Sequence, residues 1–282
     1  MPNNLTTVKV PDQFAPIFER AEKFVADYFK NKSEDPTKGT IEISGERYIL
    51  VRAASMSVEF FKLIVDLYRD KGMDEANDTA KSLLFDMAHA IGKSDAHQFQ
   101  AKMKLNDPIE KLSAGPVHFA HSGWAFVDIS PESTPSPDEN FFLLYDHPYS
   151  FESDSWLRQG EKSAFPVCIM NAGYSSGWCE ESFGITLVAA EIECKAMGDE
   201  HDRFIMAPPA KIEALIKNYA DRKPSRVMPS YEIPGFFSRK IQEEELRTKN
   251  IELERLNKFM VNREIKMAEL KKENEELKKI SH

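Results

Sequence analysis

The stretch Ile185–Pro209, ITLVAAEIECKAMGDEHDRFIMAPP, decides the fold. Two apolar runs, ITLVAAEIEC and RFIMAPP, have the character of buried strands, and the polar KAMGDEHD between them is a turn. The pair predicts an antiparallel hairpin. Glu191, Cys194, His201 and Asp202 within it are carboxylate, thiol and imidazole groups, the donor types that zinc takes in tetrahedral sites. Glu191 and Cys194 lie three residues apart and would face opposite sides of a flat strand, so one of them must sit at a bend or a strand end.

The segment upstream, CIMNAGYSSGWC (Cys168–Cys179), predicts a helix over about Pro166–Ser182 that carries Gly173 and Gly177. Its two thiols are eleven residues apart, about 16 Å along a helix at 1.5 Å per residue, and cannot share one ion. A hairpin folded against this helix brings Glu191, Cys194 and the His201–Asp202 pair towards Cys168, and leaves Cys179 as core packing. Spacing alone leaves metal ligation and plain burial both open, because the chain has no CxxC pair.

Further out, Phe14, Ile17, Phe18, Ala21, Phe24, Val25 and Phe29 recur at helical spacing and predict an amphipathic first helix. Two short strands follow around Ser44-Gly45, then a helix from about Ser55 and a third, long helix over DEANDTAKSLLFDMAHAIGKSDAHQFQAKM, with Gly92 as a weak point. GPVHFAHSGWAFVDI alternates about Ser122-Gly123 like a β-hairpin, and NFFLLYDH is a further strand. Alternation then places Phe119 and His121 on one strand face, and Leu143, Tyr145 and His147 on another. The fold class is α+β, an antiparallel sheet packed with helices, ending in a long helix. The expected divisions are an N-terminal helical segment at 1–35, a body at 36–232 and a coiled-coil helix at 235–282.

The last segment holds no glycine or proline for 47 residues. Leu246, Leu253, Met260, Met267 and Asn274 occupy a positions, and Lys249, Leu256, Arg263, Leu270 and Leu277 occupy d positions, a seam that predicts a parallel two-stranded coiled coil with Asn274 setting register. It carries 12 basic and 10 acidic residues, leaving 25 against 36 in the rest of a chain whose net charge is −9. So acidic a body repels phosphate backbones, which argues against direct binding of nucleic acid. The absence of an 18-residue apolar run or a signal-peptide start, with three cysteines, predicts a cytoplasmic protein with free thiols and no membrane partner.

GPVHFAHSGWAFVDI, YDHPYSFESD, CIMNAGYSSGW and EIECKAMGDEHDRFIMAPP resemble, in order, the N-terminal sensor domain of bacterial activators of aromatic catabolism, joined to its 4-vinyl reductase module. The resemblance covers roughly residues 11–220. It implies a homodimer that binds a small aromatic effector in a buried pocket beside a structural zinc. The zinc ligands carry over onto Cys168, Glu191 and Cys194, with Asp202 where the family has a cysteine and His201 as the substitute. The histidine and tryptophan that grip the effector in the family fall on Phe119 and His147, so the polar handle has moved between elements; Phe119, His121, Trp124, Tyr145 and His147 are the expected ligand-binding set.

The C-terminal LNKFMVNREIKMAELKKENEELKKI resembles signalling helices that precede sensory or histidine kinase domains. The output is then a downstream domain or partner protein. The function implied is a ligand sensor, not an enzyme: no GxGxxG follows a strand, and a Cys/Glu/Cys/Asp set fills four zinc positions without leaving one open. A reductase, or a coiled-coil scaffold with a vestigial pocket, are the alternatives.

Overall fold

The helix expected at the N-terminus is α1, Ala15–Lys30, with Pro16 in its first turn and Phe18, Ala21, Val25 and Tyr28 buried along one stripe. A computed structural model describes residues 5–160, 162–222 and 235–280, with side chains for all of these except 235–237, 241 and 275–280. It divides into two units, Met1–Ser238 and Arg239–His282.

In the first unit, α1 leads into a three-stranded antiparallel meander of β2 (Lys32–Asp35), β3 (Thr40–Ile43) and β4 (Glu46–Tyr48). The expected turn at Ser44-Gly45 is present, both residues holding positive φ. Helices α2 (Ala53–Met56), α3 (Val58–Leu67), α4 (Met73–Met103) and α5 (Pro108–Ser122) follow. The main sheet contains β1 (Val8–Lys9), β5 (Ala125–Ile129), β6 (Leu143–Ser150), β7 (Val188–Glu193) and β8 (Arg203–Ala207), in the order β1-β5-β6-β8-β7. Only the β1–β5 pair is parallel. Between β6 and β7 run α6 (Phe151–Leu157) and α7 (Ile169–Phe183), and α8 (Pro209–Asp221) closes the unit. All six residues of β7 are buried, as a strand covered on both faces requires, since α7 and α8 both pack on it.

Two expectations are corrected. The segment before Gly123 is helix, not the first arm of a hairpin. Asp107 caps α5, its carboxylate accepting the Ile109 and Glu110 N–H groups at 2.9 and 3.1 Å, and Pro108 starts the helix. Gly123, at φ 81°, is the left-handed cap that ends it. Gly92 is also no weak point. A Cβ there would overlap the Tyr174 carbonyl, and one at Gly173 or Gly177 would overlap the carbonyls of Phe85 or His89. The glycines thus let α4 and α7 cross backbone to backbone.

The second unit is the greater part of α9, Gly235–Ile280, a helix of 46 residues and about 70 Å. Leu246, Leu253, Leu256, Met260, Met267 and Leu270 are 49–61% exposed, so one copy of the helix leaves its seam uncovered. Leu277 of that seam lies outside the described side chains. Among the described residues no helix is long and apolar enough to cross a membrane.

Candidate ligand pocket and metal cluster

Cys168 is the N-cap residue of α7, placed where the helix starts against the β7–β8 hairpin. One donor atom each from Cys168, Glu191 and Asp202 lies within 4.8 Å of the others, and all three residues are buried. The pairing of β7 with β8 slips between Glu191 and Glu193, a bulge that supplies the bend the sequence demanded. Cys194, wholly buried, follows directly at the start of a 3-10 turn and neighbours Glu191 and Cys168, but its sulfur does not come within 4.8 Å of all three cluster atoms. His201 is set apart from the cluster: its side chain is 39% exposed and meets Glu200 at 3.8 Å.

Four acidic groups share this buried neighbourhood. Burial first, and then the negative charge of neighbouring members, push the Cys168, Glu191 and Cys194 protons to high pKa. Burial likewise raises Asp202, against the hydrogen bond it accepts from the Ser153 hydroxyl at 2.6 Å. Glu191 accepts the Cys168 N–H at 2.8 Å through Oε2, while its buried Oε1 has no hydrogen-bond partner. A divalent ion would satisfy that oxygen and offset the mutual repulsion. Two thiols and two carboxylates suit zinc, so the residues fit the group that the resemblance implies.

Six residues beyond Cys168, α7 begins to wall an apolar hollow. A water's centre can reach about 40 Å³ of it. Its walls come from α5 (Gly115, Phe119), β5 (Val127), β6 (Leu143, Tyr145), α7 (Tyr174, Trp178, Cys179) and β8 (Met206). Gly115 is required here, since a Cβ would lie 2.8 Å from the Trp178 indole nitrogen. Cys179, expected as packing, is buried and forms part of this wall.

Of the expected ligand-binding residues, Phe119 and Tyr145 line the hollow. His147 is fully buried next to both, its ring 5.9 Å from Phe119 and 5.3 Å from Tyr145; neither ring nitrogen has a partner, and burial pulls its pKa down to about 3. Trp124 stacks on Phe119 from behind and borders a separate surface groove. His121 is turned out of the site: on a helix, unlike a strand, residues two apart do not share a face, and its exposed ring stacks on Phe29.

The same helix turns His118 inward, a residue that the strand reading passed over. Its Nδ1 lies 2.9 Å from the Tyr174 hydroxyl, which donates to Asp95 at 2.8 Å. Burial holds His118 neutral, with a pKa of about 3. Glu152 was also missed. It is buried at the start of α7, where it accepts the Met170 and Asn171 N–H groups, and burial pushes its pKa up to about 8. The signal for both was the capped start at Asp107-Pro108 and the free N–H groups that any helix N-terminus presents.

Residues 31–132 match the XylR_N family, described as activator of aromatic catabolism. The phenol regulator MopR of Acinetobacter guillouiae is 26% identical over 175 residues, which is 62% of this chain and 30% of that protein. The crystal structure of the phenol-responsive sensory domain of the transcription activator PoxR, with phenol, superposes with a TM-score of 0.56 at 22% identity, covering 72% of this chain and 96% of that one. These matches show the resemblance to the sensor domains of aromatic-catabolism activators, and the last shows the fold.

Proposed function

We propose that this chain is the ligand-sensing part of a signalling or transcription-regulatory protein. A small aromatic or otherwise apolar effector binds in the hollow between α5, α7 and the sheet. The observation that carries this reading is a mainly apolar hollow with a buried tyrosine hydroxyl in its wall, in a fold shared with a phenol-responsive sensory domain. The relatives are regulators, which supports a sensor over a reductase.

Cys168, Glu191, Cys194 and Asp202 would hold zinc in a structural role, pinning the start of α7 to the β7–β8 hairpin. Because α7 walls the hollow a few residues on, an ion at its N-terminus keeps that wall in place. The exposed seam of α9 supports a parallel homodimer through a coiled coil, which would pass the liganded state to an output domain or partner protein. Effector binding shifts this equilibrium only by binding one arrangement more tightly than the other. The acidic body argues against direct contact with nucleic acid, and cytoplasmic placement remains the expectation from the sequence.

Thermal unfolding with and without toluene or phenol tests the reading. A ligand at a hundred times its Kd adds about 2.7 kcal/mol, a rise of several degrees. No rise with either compound at millimolar concentration would remove the sensor reading and favour a scaffold.

A further inference from the structure

The polar groups around the hollow are unequally committed. The Tyr174 hydroxyl is held by Asp95 and His118, and the Trp178 indole N–H donates to the Lys111 carbonyl at 3.1 Å. Phe119 offers no hydrogen-bonding atom. Tyr145 is 4% exposed, and its buried hydroxyl oxygen makes no hydrogen bond of good geometry among the described residues; the Ser175 hydroxyl, also in the wall, lies near enough to interact with it only weakly. A buried hydroxyl left unpaired is costly, and a bound group that pairs with it recovers that cost.

Among the described residues, no Lys, Arg, His, Asp or Glu lines the hollow. An anion brought into it would lose its water and meet no counter-charge. The space is also small. About 40 Å³, against the 10–15 Å³ that holds a single water on the same kind of measure, suits no more than one ring.

We propose that Tyr145 on β6 is the specificity-determining residue of the hollow, its hydroxyl meeting the one hydrogen-bonding group of an uncharged single-ring ligand. This rests on the sensor reading above and narrows it. His147 packs against the Tyr145 ring without lining the hollow.

The test is calorimetric titration of the full chain at pH 7 with toluene, phenol and benzoate, for the wild type and Tyr145→Phe. The wild type should bind phenol about tenfold more tightly than toluene, the effect of one recovered hydrogen bond, and benzoate at least about a hundredfold more weakly than phenol. Tyr145→Phe should erase the preference for phenol while leaving toluene affinity within about twofold. The inference falls if the variant keeps the wild-type preference, if the wild type prefers toluene, or if benzoate binds as well as phenol; binding of toluene in those cases leaves the cavity reading standing. If neither toluene nor phenol binds the wild type, the cavity reading falls and takes this inference with it. The wild-type series decides the matter by itself should Tyr145→Phe fail to fold, which its melting temperature shows.

Discussion

His147 and His118 are neutral imidazoles in an apolar setting, and this sets a pH dependence. Unfolded histidine gains its proton near pH 6.5, whereas these two gain theirs only near 3, so acidification favours the unfolded chain. Their contribution is complete above about pH 6.5 and declines towards pH 3 by about 1.4 kcal/mol per pH unit for each ring. Glu152 acts in the opposite sense, since its pKa of about 8 makes the folded state hold a proton that the unfolded chain releases above about 4.5. Comparison of His147→Phe with wild type isolates the imidazole. In urea melts the variant should gain on wild type by about 1.4 kcal/mol for each unit from pH 6 to pH 4. At the metal cluster, Cys194→Ser should lower zinc content, measured by elemental analysis, from about one per chain to near zero, with a fall in melting temperature. A metal-free wild type of equal stability would refute the zinc assignment.

At the scale of elements, the crossing of α4 and α7 organises the body. The α7 helix carries a donor of the metal cluster at its first end, the wall of the hollow in its middle, and on its other side the glycines that admit α4. Gly177→Ala places a methyl group where the His89 carbonyl lies, and backbone cannot give way as a flexible side chain can. The expected cost is about 1–3 kcal/mol, measured by denaturant unfolding, with weaker binding of toluene as α7 shifts. Ala at Gly123 is disfavoured for a different reason, the positive φ that ends α5, with open space around it. The strand β6 links the hollow to the outer face. Asp146, next to Tyr145, takes both ends of the Arg203 guanidinium at 2.6 and 2.7 Å, and Arg203 donates to the Tyr219 hydroxyl of α8 at 2.9 Å. This joins the middle of the sheet to the last helix of the body by directional bonds.

For the molecule as a whole, the uncovered seam of α9 makes association the central prediction. Removal of residues 239–282 should convert a dimer to a monomer in analytical ultracentrifugation if the helix supplies the main contact; a dimer that persists assigns that contact to the body. Asn274→Leu should raise the melting temperature of the helix and loosen its preference for two strands, seen as larger species in the same measurement.

Local pattern carried the elements that announce themselves by period: α1, the long α4, α7, the β7–β8 pair and the heptads of α9. It also placed Cys168, Glu191, Cys194 and Asp202 in one neighbourhood, through a resemblance whose spacings survive in this chain. It failed at α5, because a short apolar run has no period that separates a helix from a strand, and the Ser122-Gly123 pair looks the same as a turn or as a helix end. That single difference turned His121 out and brought His118 in. Convergence was decided only by tertiary structure: the bulge beside Glu191, the placing of Asp202 and not His201 beside Cys168 and Glu191, and the hollow between α5, α7 and the sheet. Period is a property of neighbouring residues. A cavity or a cluster depends on how separate elements pack, which the order of residues along one element does not specify.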